Sequence, residues 1–446
     1  MRYGELTFLV VLVIYHAFLL VPRFRRPFAA NYLVFLAGAA LGWNLGLEGL
    51  RWQTLPAIVL ILVDLFVLFP SFASLRGRAP QRGFFRFVGR FFRGLLAWAG
   101  WLVAVASVVL AVAFPLPRVE LTGGLPPGYR VVRFPASADQ APVELQIWYP
   151  ASGDLHSASR PNSLTETWQR QREAGGLPVF WQSYLDRLPS SLIKGGKLAS
   201  AGTKYPVVYV AVPRGQDPSD FGYLFEDLAS RGFLVVAPTA VTPMKGPAAF
   251  SWTATWTELS RPFVKPELWL EPELSNRTKE GPADYHWLVP AQAALKQLDG
   301  EPGDLLFGSV DWTHQGLWAW GTSGAPPSSA PQVLGLRGVV QAGGTVPAGH
   351  QAKVPELWIM AGAPPPDSPR LWTLTTGHLQ RSDLADAAYL KPYLAFFGLK
   401  SQADAGPHAV LRQYQAAFFQ FVFWSEGNTT FSQTVPEVPG ITLTGK

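Results

Sequence analysis

A short apolar run that stops abruptly is the feature that most constrains the fold of this chain. The run, Leu317 to Trp320, has the continuous apolar character of a buried strand. Residues 321–325 follow at once with Gly-Thr-Ser-Gly-Ala, which is nearly a G-x-S-x-G elbow. In such an elbow a strand turns sharply into a helix, so that a serine hydroxyl stands clear of the sheet and backbone N–H groups point at a reacting carbonyl. Ser323 is therefore the candidate nucleophile.

The segments around this elbow alternate between strand and helix patterns. Residues 206–212 form a continuous apolar strand, residues 220–231 a helix and residues 233–237 another strand, and a helix at 283–298 leads to the elbow strand. This alternation predicts an α/β domain with a mostly parallel sheet and helices on both faces. Further elements are predicted as strands at 130–134, 143–149, 338–341, 356–360 and 371–375 and a helix at 409–424.

The N-terminal quarter contains four apolar segments, at Leu6–Val21, Phe28–Leu47, Leu55–Phe72 and Leu95–Phe114. A bilayer core of roughly 30 Å requires about 20 apolar residues in a helix. The pattern predicts an all-α bundle of four transmembrane helices. The first is predicted to be retained rather than cleaved as a signal peptide, because three more segments follow and no small-residue cleavage site is evident.

The arginines between these segments predict an orientation. The first loop carries three arginines between residues 23 and 26 and the third carries six between residues 76 and 93, whereas the second has only Arg51 beside Glu48. Because basic residues favour the cytoplasmic side, the first and third loops are predicted to be cytoplasmic. The chain is then a multi-pass protein of the cell membrane, with everything after Arg118 on the extracytoplasmic side.

One acidic residue, Asp64, lies near the middle of the third apolar segment. An ionisable group at that depth is a candidate functional residue, and we expect it to face Asn44 or His16. The alternative is a polar contact that fixes helix packing, which we favour because no second acidic residue indicates a proton relay.

Composition excludes several classes of chemistry. The chain has no cysteine, so thiolate catalysis and disulfides are excluded. Its net charge of +6 would suit nucleic acid, but the arginines concentrate between the apolar segments, where a membrane explains them better. No His, Asp or Glu spacing is typical of a metal site and no Gly-rich phosphate loop is present. We therefore predict no metal, no cofactor and no nucleic-acid partner.

The predicted domains follow from these patterns. Two aromatic-rich insertions interrupt the α/β region, and they either cap a pocket for an apolar acyl chain or pack the domain against the helices; both interpretations remain open. The predicted boundaries are helices at 1–115, a linker at 116–129, the α/β domain at 130–430 with insertions at 156–202 and 241–281, and a tail at 431–446.

From about Arg130 onward the order of motifs resembles a known superfamily. Val143 to Ala151 looks like an opening strand, Tyr205 to Tyr209 with Asp227 to Pro238 is similar to an oxyanion strand, helix and second strand, and Ser309 to Asp311 resembles the lead into a nucleophile elbow. These residues resemble the α/β-hydrolase superfamily, and within it the platelet-activating-factor acetylhydrolase and dienelactone-hydrolase-like branch. The resemblance covers about 300 residues and omits the N-terminal helices.

The resemblance implies a serine esterase. Ser323 would attack the acyl carbonyl, and the backbone N–H groups of Gln216 and Gly324 would form the oxyanion hole. His378, directly after the last strand, would act as the base. Asp367 would orient its imidazole, since the chain order Ser, acid, His is the one expected for this fold.

Three departures from the family pattern bear on these roles. Arg214 stands where the family has histidine at the oxyanion turn; it either binds a phosphate or carboxylate of the substrate or makes a surface salt bridge. The strand after the elbow ends in Gln341-Ala342-Gly343-Gly344, without the carboxylate that the branch often places there. Asp367 lies in a short proline-rich loop, and His350 competes with His378 as the base.

Two functions remain open on these residues. The first is a membrane-anchored serine hydrolase that cleaves a lipid or other apolar acyl ester through an acyl-enzyme on Ser323. The second is a catalytically degenerate domain that serves as a binding or scaffold module at the membrane. The lipid bilayer and an ester substrate are the predicted partners, and the oligomeric state is not predicted.

Overall fold

The structure is a computed structural model of the 446-residue chain. The residues that it describes are 3–20, 27–47, 54, 56–64, 97–109, 120–135, 142–153, 192–200, 202–214, 216, 218–240, 283–321, 330–347, 350–361, 370–376, 405–424, 431 and 441–445. The chain divides into two compact units: Met1–Pro117 with Leu177–Leu188, and Arg118–Gly176 with Pro189–Lys446.

The first unit is helical, as the apolar segments predicted. Helix α1 spans Tyr3–Leu20 and α2 spans Pro27–Leu47, and residues 56–64 and 97–109 form helices α3 and α4. All four helices contribute buried apolar side chains to one cluster, which includes Leu12, Val34, Ile61 and Ala104. Among the described residues, no helix combines the length and the apolarity that crossing a bilayer demands. The prediction of transmembrane helices therefore gains no support.

A polar pair lies inside this helical unit. The Nε2 atom of His16 on α1 is 3.1 Å from the Oδ2 atom of Asp64 on α3, and the His16 side chain is almost completely buried. Gly100 on α4 lies so close that a Cβ there would overlap the His16 ring. The expectation that Asp64 faces His16 is confirmed, and the contact joins three helices.

The second unit is built on one sheet. Its strands are β1 Pro127–Phe134, β2 Val143–Ser152, β3 Ile193–Lys194, β4 Lys197–Leu198, β5 Tyr205–Ala211, β6 Leu234–Ala240, β7 Val310–Trp320, β8 Leu336–Ala342, β9 Glu356–Ala361, β10 Leu371–Thr376 and β11 Ile441–Gly445. The strand order is β11-β10-β9-β8-β7-β5-β6-β2-β1-β3, and β4 pairs with β2.

The centre of this sheet is parallel. Strands β6, β5, β7, β8, β9 and β10 run in one direction, and β2 joins β6 antiparallel. All seven residues of β5 are buried, as are the last six of β7, because both faces of a parallel sheet are covered. The elbow strand β7 thus occupies the middle of the sheet.

Helices cover both faces. The helices are α5 Gly222–Ser230, α6 Leu288–Gly300, α7 Ala330–Leu334 and α8 Ala405–Trp424. Side chains of α5 and α8 pack against one face in a cluster with Trp318 and Trp320, whereas α6 and α7 pack against the other in a cluster with Leu317 and Ala319. The alternation of side chains along β7 explains this division. The predicted α/β class, with a mostly parallel sheet and helices on both faces, is confirmed.

Several boundaries differ from the predictions. Strand β1 begins at Pro127, inside the predicted linker, and β3 and β4 lie within the first predicted insertion. Strand β11 lies in the predicted tail and pairs antiparallel with the edge strand β10. These elements are short, and their pairing partners are distant in the chain, so local periodicity does not reveal them.

Tryptophans form part of the core of the sheet unit. Four of them are among the largest fully buried side chains: Trp148, Trp318, Trp320 and Trp358. The Phe221 ring is 4.9 Å from the Trp318 ring, in an edge-to-face arrangement that aromatic pairs favour. Part of the aromatic content therefore forms the core beneath α5.

Candidate active site

The carboxyl ends of the central strands meet at one edge of the sheet. Ala211 of β5 pairs with Ala319 of β7, and Trp320 pairs with Ala342 of β8. Ala361 of β9 pairs with Thr376 of β10. Ligands of open α/β sheets bind at this edge, so the segments that follow these strands form the candidate site.

Four of the predicted site residues lie outside the described residues: Ser323, Gly324, Asp367 and His378. Their roles remain predictions. The described strands nevertheless locate the chain on either side of them, because Ser323 comes three residues after Trp320 and His378 two residues after Thr376. Since β8 and β9 lie between β7 and β10, the two strand ends are roughly 14 Å apart. A Ser323–His378 contact requires the following segments to cover that distance.

The predicted oxyanion turn follows β5 and is well defined. Pro213 forms an isolated bridge with Ala283, and the backbone N–H of Asp284 donates to the Val212 carbonyl at 3.0 Å. The backbone N–H of Gln216 donates to the Pro213 carbonyl at 3.0 Å. In this state, the N–H that was predicted to bind an oxyanion therefore has a partner in its own turn.

Arg214, in the same turn, has an exposed side chain. It has no carboxylate partner in the part of the chain that the structure describes, so the predicted surface salt bridge is not observed there. An exposed guanidinium beside the turn remains compatible with the other interpretation, in which Arg214 binds an anionic group of a substrate.

Two side-chain hydrogen bonds that the sequence did not predict link Tyr285 to Gly321, the residue at the start of the predicted elbow. Tyr285 lies two residues after Ala283, which is bridged to the turn. The Tyr285 hydroxyl donates to Gln341 Oε1 at 3.1 Å, and Gln341 Nε2 donates to the Gly321 carbonyl at 3.5 Å. Burial, with a smaller effect from Glu356, raises the pKa of Tyr285, which keeps its hydroxyl protonated as a donor. Gln341 thus lies where the resembled family often has a carboxylate, and its amide hydrogen-bonds to the first residue of the predicted elbow.

Gly343 shows how closely the chain packs at this edge. Its φ of +79° is unfavourable for other residues, and a Cβ there would lie 3.1 Å from Trp320 Cζ3. The backbone N–H of Gly343 donates to the Ile359 carbonyl at 2.9 Å. A glycine is therefore required where the chain leaves β8 beside the elbow strand.

Two histidine–carboxylate pairs lie away from this edge. His350 Nε2 is 2.7 Å from Glu356 Oε2 at the start of β9, and Trp358 Nε1 donates to the same oxygen at 2.9 Å. His314 Nδ1 is 2.6 Å from Asp311 Oδ2 near the start of β7. Both carboxylates belong to the amino-terminal halves of their strands, so neither histidine is positioned to serve the elbow.

The His314–Asp311 pair lies within an irregular segment of β7. The register with β5 shifts after Pro206, so that residues 312–314 have no partner in β5. Although partial burial opposes ionisation, hydrogen bonds from Thr313 and His314 lower the pKa of Asp311. Within the described residues, no group of three His, Asp or Glu side chains is arranged to hold a metal ion.

No family model matches the chain, and none of the curated proteins matches it. One similar solved structure is a ferulic acid esterase from Streptomyces cinnamoneus, with 19% sequence identity and a TM-score of 0.47 over 73% of this chain and 98% of that one. At these values the similarity carries no conclusion about activity, and the sheet itself decides the fold.

The mostly parallel sheet with helices on both faces is what the sequence predicted. The structure adds that β2 lies antiparallel beside β6 and that β7 is central. The described part of the chain thus forms an α/β fold with a mostly parallel central sheet. The turn after β5 and the predicted elbow after β7 follow adjacent strands, whose ends pair at Ala211 and Ala319. The resemblance to the platelet-activating-factor acetylhydrolase and dienelactone-hydrolase-like branch gains no support.

Proposed function

We propose that this chain hydrolyses carboxylic esters through an acyl-enzyme on Ser323. The observation that carries the proposal is the position of β7: it is central and buried, and it ends at Trp320 and Gly321 immediately before the serine. The adjacent strand β5 ends at the same edge and is followed by the turn that contains Arg214 and Gln216. This is the arrangement that a nucleophile elbow and an oxyanion turn require.

The proposed reaction has two steps. In the first, Ser323 Oγ bonds to the acyl carbon while His378 takes the hydroxyl proton, and the alcohol leaves with that proton. In the second, a water molecule loses a proton to His378 and attacks the acyl carbon; the bond to Ser323 Oγ then breaks, His378 returns the proton to that oxygen, and the carboxylic acid leaves. Asp367 would hold the imidazole in the required tautomer.

The rival function is a catalytically degenerate domain that binds a ligand or partner. The absence of a carboxylate at 341–344 is the observation that favours it. The chain of hydrogen bonds through Tyr285, Gln341 and Gly321 favours the enzyme, because it orders the start of the elbow without such a carboxylate.

A fluorophosphonate probe separates the two functions. We expect the detergent-solubilised wild-type protein to be labelled and the Ser323→Ala variant not to be, because only an activated serine reacts with the probe. Hydrolysis of chromogenic esters with short and long acyl chains should be lost in the same variant. A folded wild-type protein that does not react would instead favour the binding module.

We also propose that the helical unit attaches the protein to a lipid bilayer. Helix α1 exposes Leu6, Val10, Ile14 and Phe18 at intervals of four residues, which places them along one side of the helix. Helix α2 exposes Tyr32, Phe35, Leu36 and Trp43. Exposed apolar surface of this extent is typical of an interaction site, and a lipid surface would bring the esterase close to apolar esters.

Vesicle flotation tests this attachment. We expect the full chain to float with phosphatidylcholine–phosphatidylglycerol vesicles and to remain with them in high salt, because apolar insertion is not screened by ions. Changing Leu6, Val10 and Ile14 together to serine should weaken flotation. The matched control changes three exposed apolar residues of the second unit, Val289, Phe307 and Val333, to serine and should float as the wild type does. Recovery of the wild type below the vesicles would contradict the attachment.

A further inference from the structure

The side chain of Gln216 is a buried amide without a partner. It is only 8% exposed, and neither Nε2 nor Oε1 has a hydrogen bond. Leaving such a group unpaired is unfavourable, because the amide has lost its hydrogen bonds to water and gained none in the protein. Buried polar groups in native proteins are nearly always bonded, so an unbonded amide in a candidate site is a candidate for binding a ligand.

Other buried glutamines in the sheet unit differ from it. Gln292 donates to Gln315 Oε1 at 2.8 Å and to the Leu334 carbonyl at 3.1 Å. Gln341 accepts from Tyr285, and Gln415 accepts from the Trp318 indole. Among the described residues of that unit, Gln216 is the one buried amide with both polar atoms unbonded.

The backbone N–H of Gln216 is already hydrogen-bonded, whereas its side-chain N–H group is not. Its N–H is held by the Pro213 carbonyl at 3.0 Å, and the turn is fastened by the Pro213–Ala283 bridge and the hydrogen bond from Asp284 to Val212. Freeing that N–H for a substrate would break a hydrogen bond in a turn that is also attached to Ala283 and Asp284. The Nε2 group requires no such change, because it is already desolvated and unbonded.

A second unbonded donor lies at the neighbouring strand end. The Trp320 indole Nε1 is buried and has no partner, and Trp320 directly precedes the elbow. Its ring is 5.9 Å from the ring of Phe221, which belongs to the short helix that follows Gln216 in the chain. Unbonded polar groups therefore occur on both segments that border the predicted site.

We propose that the Gln216 carboxamide, rather than its backbone N–H, is the oxyanion donor of this turn. The inference rests on the proposed ester hydrolysis. When Ser323 Oγ bonds to the acyl carbon, the carbonyl electron pair moves to the oxygen, and Gln216 Nε2 donates a hydrogen bond to that developing charge. When the carbonyl re-forms, the alcohol leaves and the hydrogen bond weakens. Side-chain amides are established donors of this kind, and a neutral donor suits an uncharged ester carbonyl.

The test compares labelling rate with thermal stability. Gln216→Leu and Gln216→Met remove the donor and keep similar volume, so we expect the fluorophosphonate labelling rate to fall about 10²–10³-fold, the usual effect of losing one oxyanion donor. The melting temperature should not fall, because an unpaired buried amide has been replaced by an apolar group. A merely structural glutamine would not give this combination.

Gln292→Met provides the matched control. It removes two hydrogen bonds and leaves Gln315 Oε1 and the Leu334 carbonyl without that donor, so the melting temperature should fall while the labelling rate of the folded protein stays within a few-fold. If both Gln216 variants fold and react within about threefold of the wild type, the backbone N–H is sufficient and the inference is overturned. A wild-type protein that never reacts overturns the proposed function itself, and this inference with it, which is a distinguishable result.

Discussion

Replacing His378 with glutamine is expected to lower ester hydrolysis by roughly 10⁶-fold, whereas replacing His350 with glutamine should leave it within a few-fold. His378 follows β10 at the carboxyl edge and is the proposed base. Without a base, Ser323 keeps its proton and is a poor nucleophile. Because the members of such a catalytic unit act together, losing one removes most of the rate enhancement.

The expectation for His350 follows from its position. Its Nε2 atom is bound to Glu356, the first residue of β9, and Ala361 ends that strand five residues later. At about 3.3 Å per residue, Glu356 lies roughly 16 Å from the carboxyl edge. Glutamine at position 350 still offers a donor to the buried Glu356 carboxylate, so the fold should survive.

The measurement is kcat/KM of the two variants with a short-chain chromogenic ester, normalised to folded protein by circular dichroism. Loss of activity in His350→Gln with retention in His378→Gln would mean that the base comes from the opposite edge of the sheet. That result would remove the elbow from the mechanism.

Replacing Asp227 with alanine is expected to lower the free energy of unfolding of the sheet unit by about 3–5 kcal/mol. The carboxylate is completely buried and accepts hydrogen bonds from the Thr122 N–H at 2.7 Å and the Thr122 hydroxyl at 2.8 Å. It also lies 3.4 Å from Arg231 Nε and 3.5 Å from Arg412 Nη1. Removing it leaves the buried Arg412 guanidinium without its countercharge.

Urea denaturation followed by tryptophan fluorescence measures this change, since four buried tryptophans report on the sheet unit. The matched control, Glu301→Ala, removes an exposed carboxylate and should change stability by less than about 0.5 kcal/mol. A loss for Asp227→Ala of under about 1 kcal/mol would show that the cluster contributes no more than a surface ion pair.

Much of the fold could be predicted because its strongest signals are local. The apolar run at 206–212 predicted β5, and the alternating segments around it predicted β6, α5 and the elbow strand. Strand β7 is longer than the apolar run at 317–320 that predicted it. Its first half contains an irregular segment in which Asp311 and His314 are hydrogen-bonded to each other. Polar residues in that half hide the strand from an apolar pattern.

The sequence predicted which residues form the candidate site but not how the described turn of that site is bonded. The elbow sequence predicted Ser323, and the resemblance assigned the oxyanion role to the backbone of Gln216. The engaged N–H and the unbonded carboxamide of Gln216 depend on how the turn closes against Ala283, about 70 residues later in the chain. No spacing or composition signal reports such a contact.

The sequence by itself determined the α/β class and the order of the central elements, because burial on both faces of a parallel sheet requires continuous apolar runs. Only the tertiary structure decided which polar groups meet. Thr122, Asp227 and Arg412 come together from distant parts of the chain, as do Tyr285 and Gln341. The physical reason is that a buried polar group must find a partner wherever the fold brings one, and that partner is set by packing rather than by neighbouring residues.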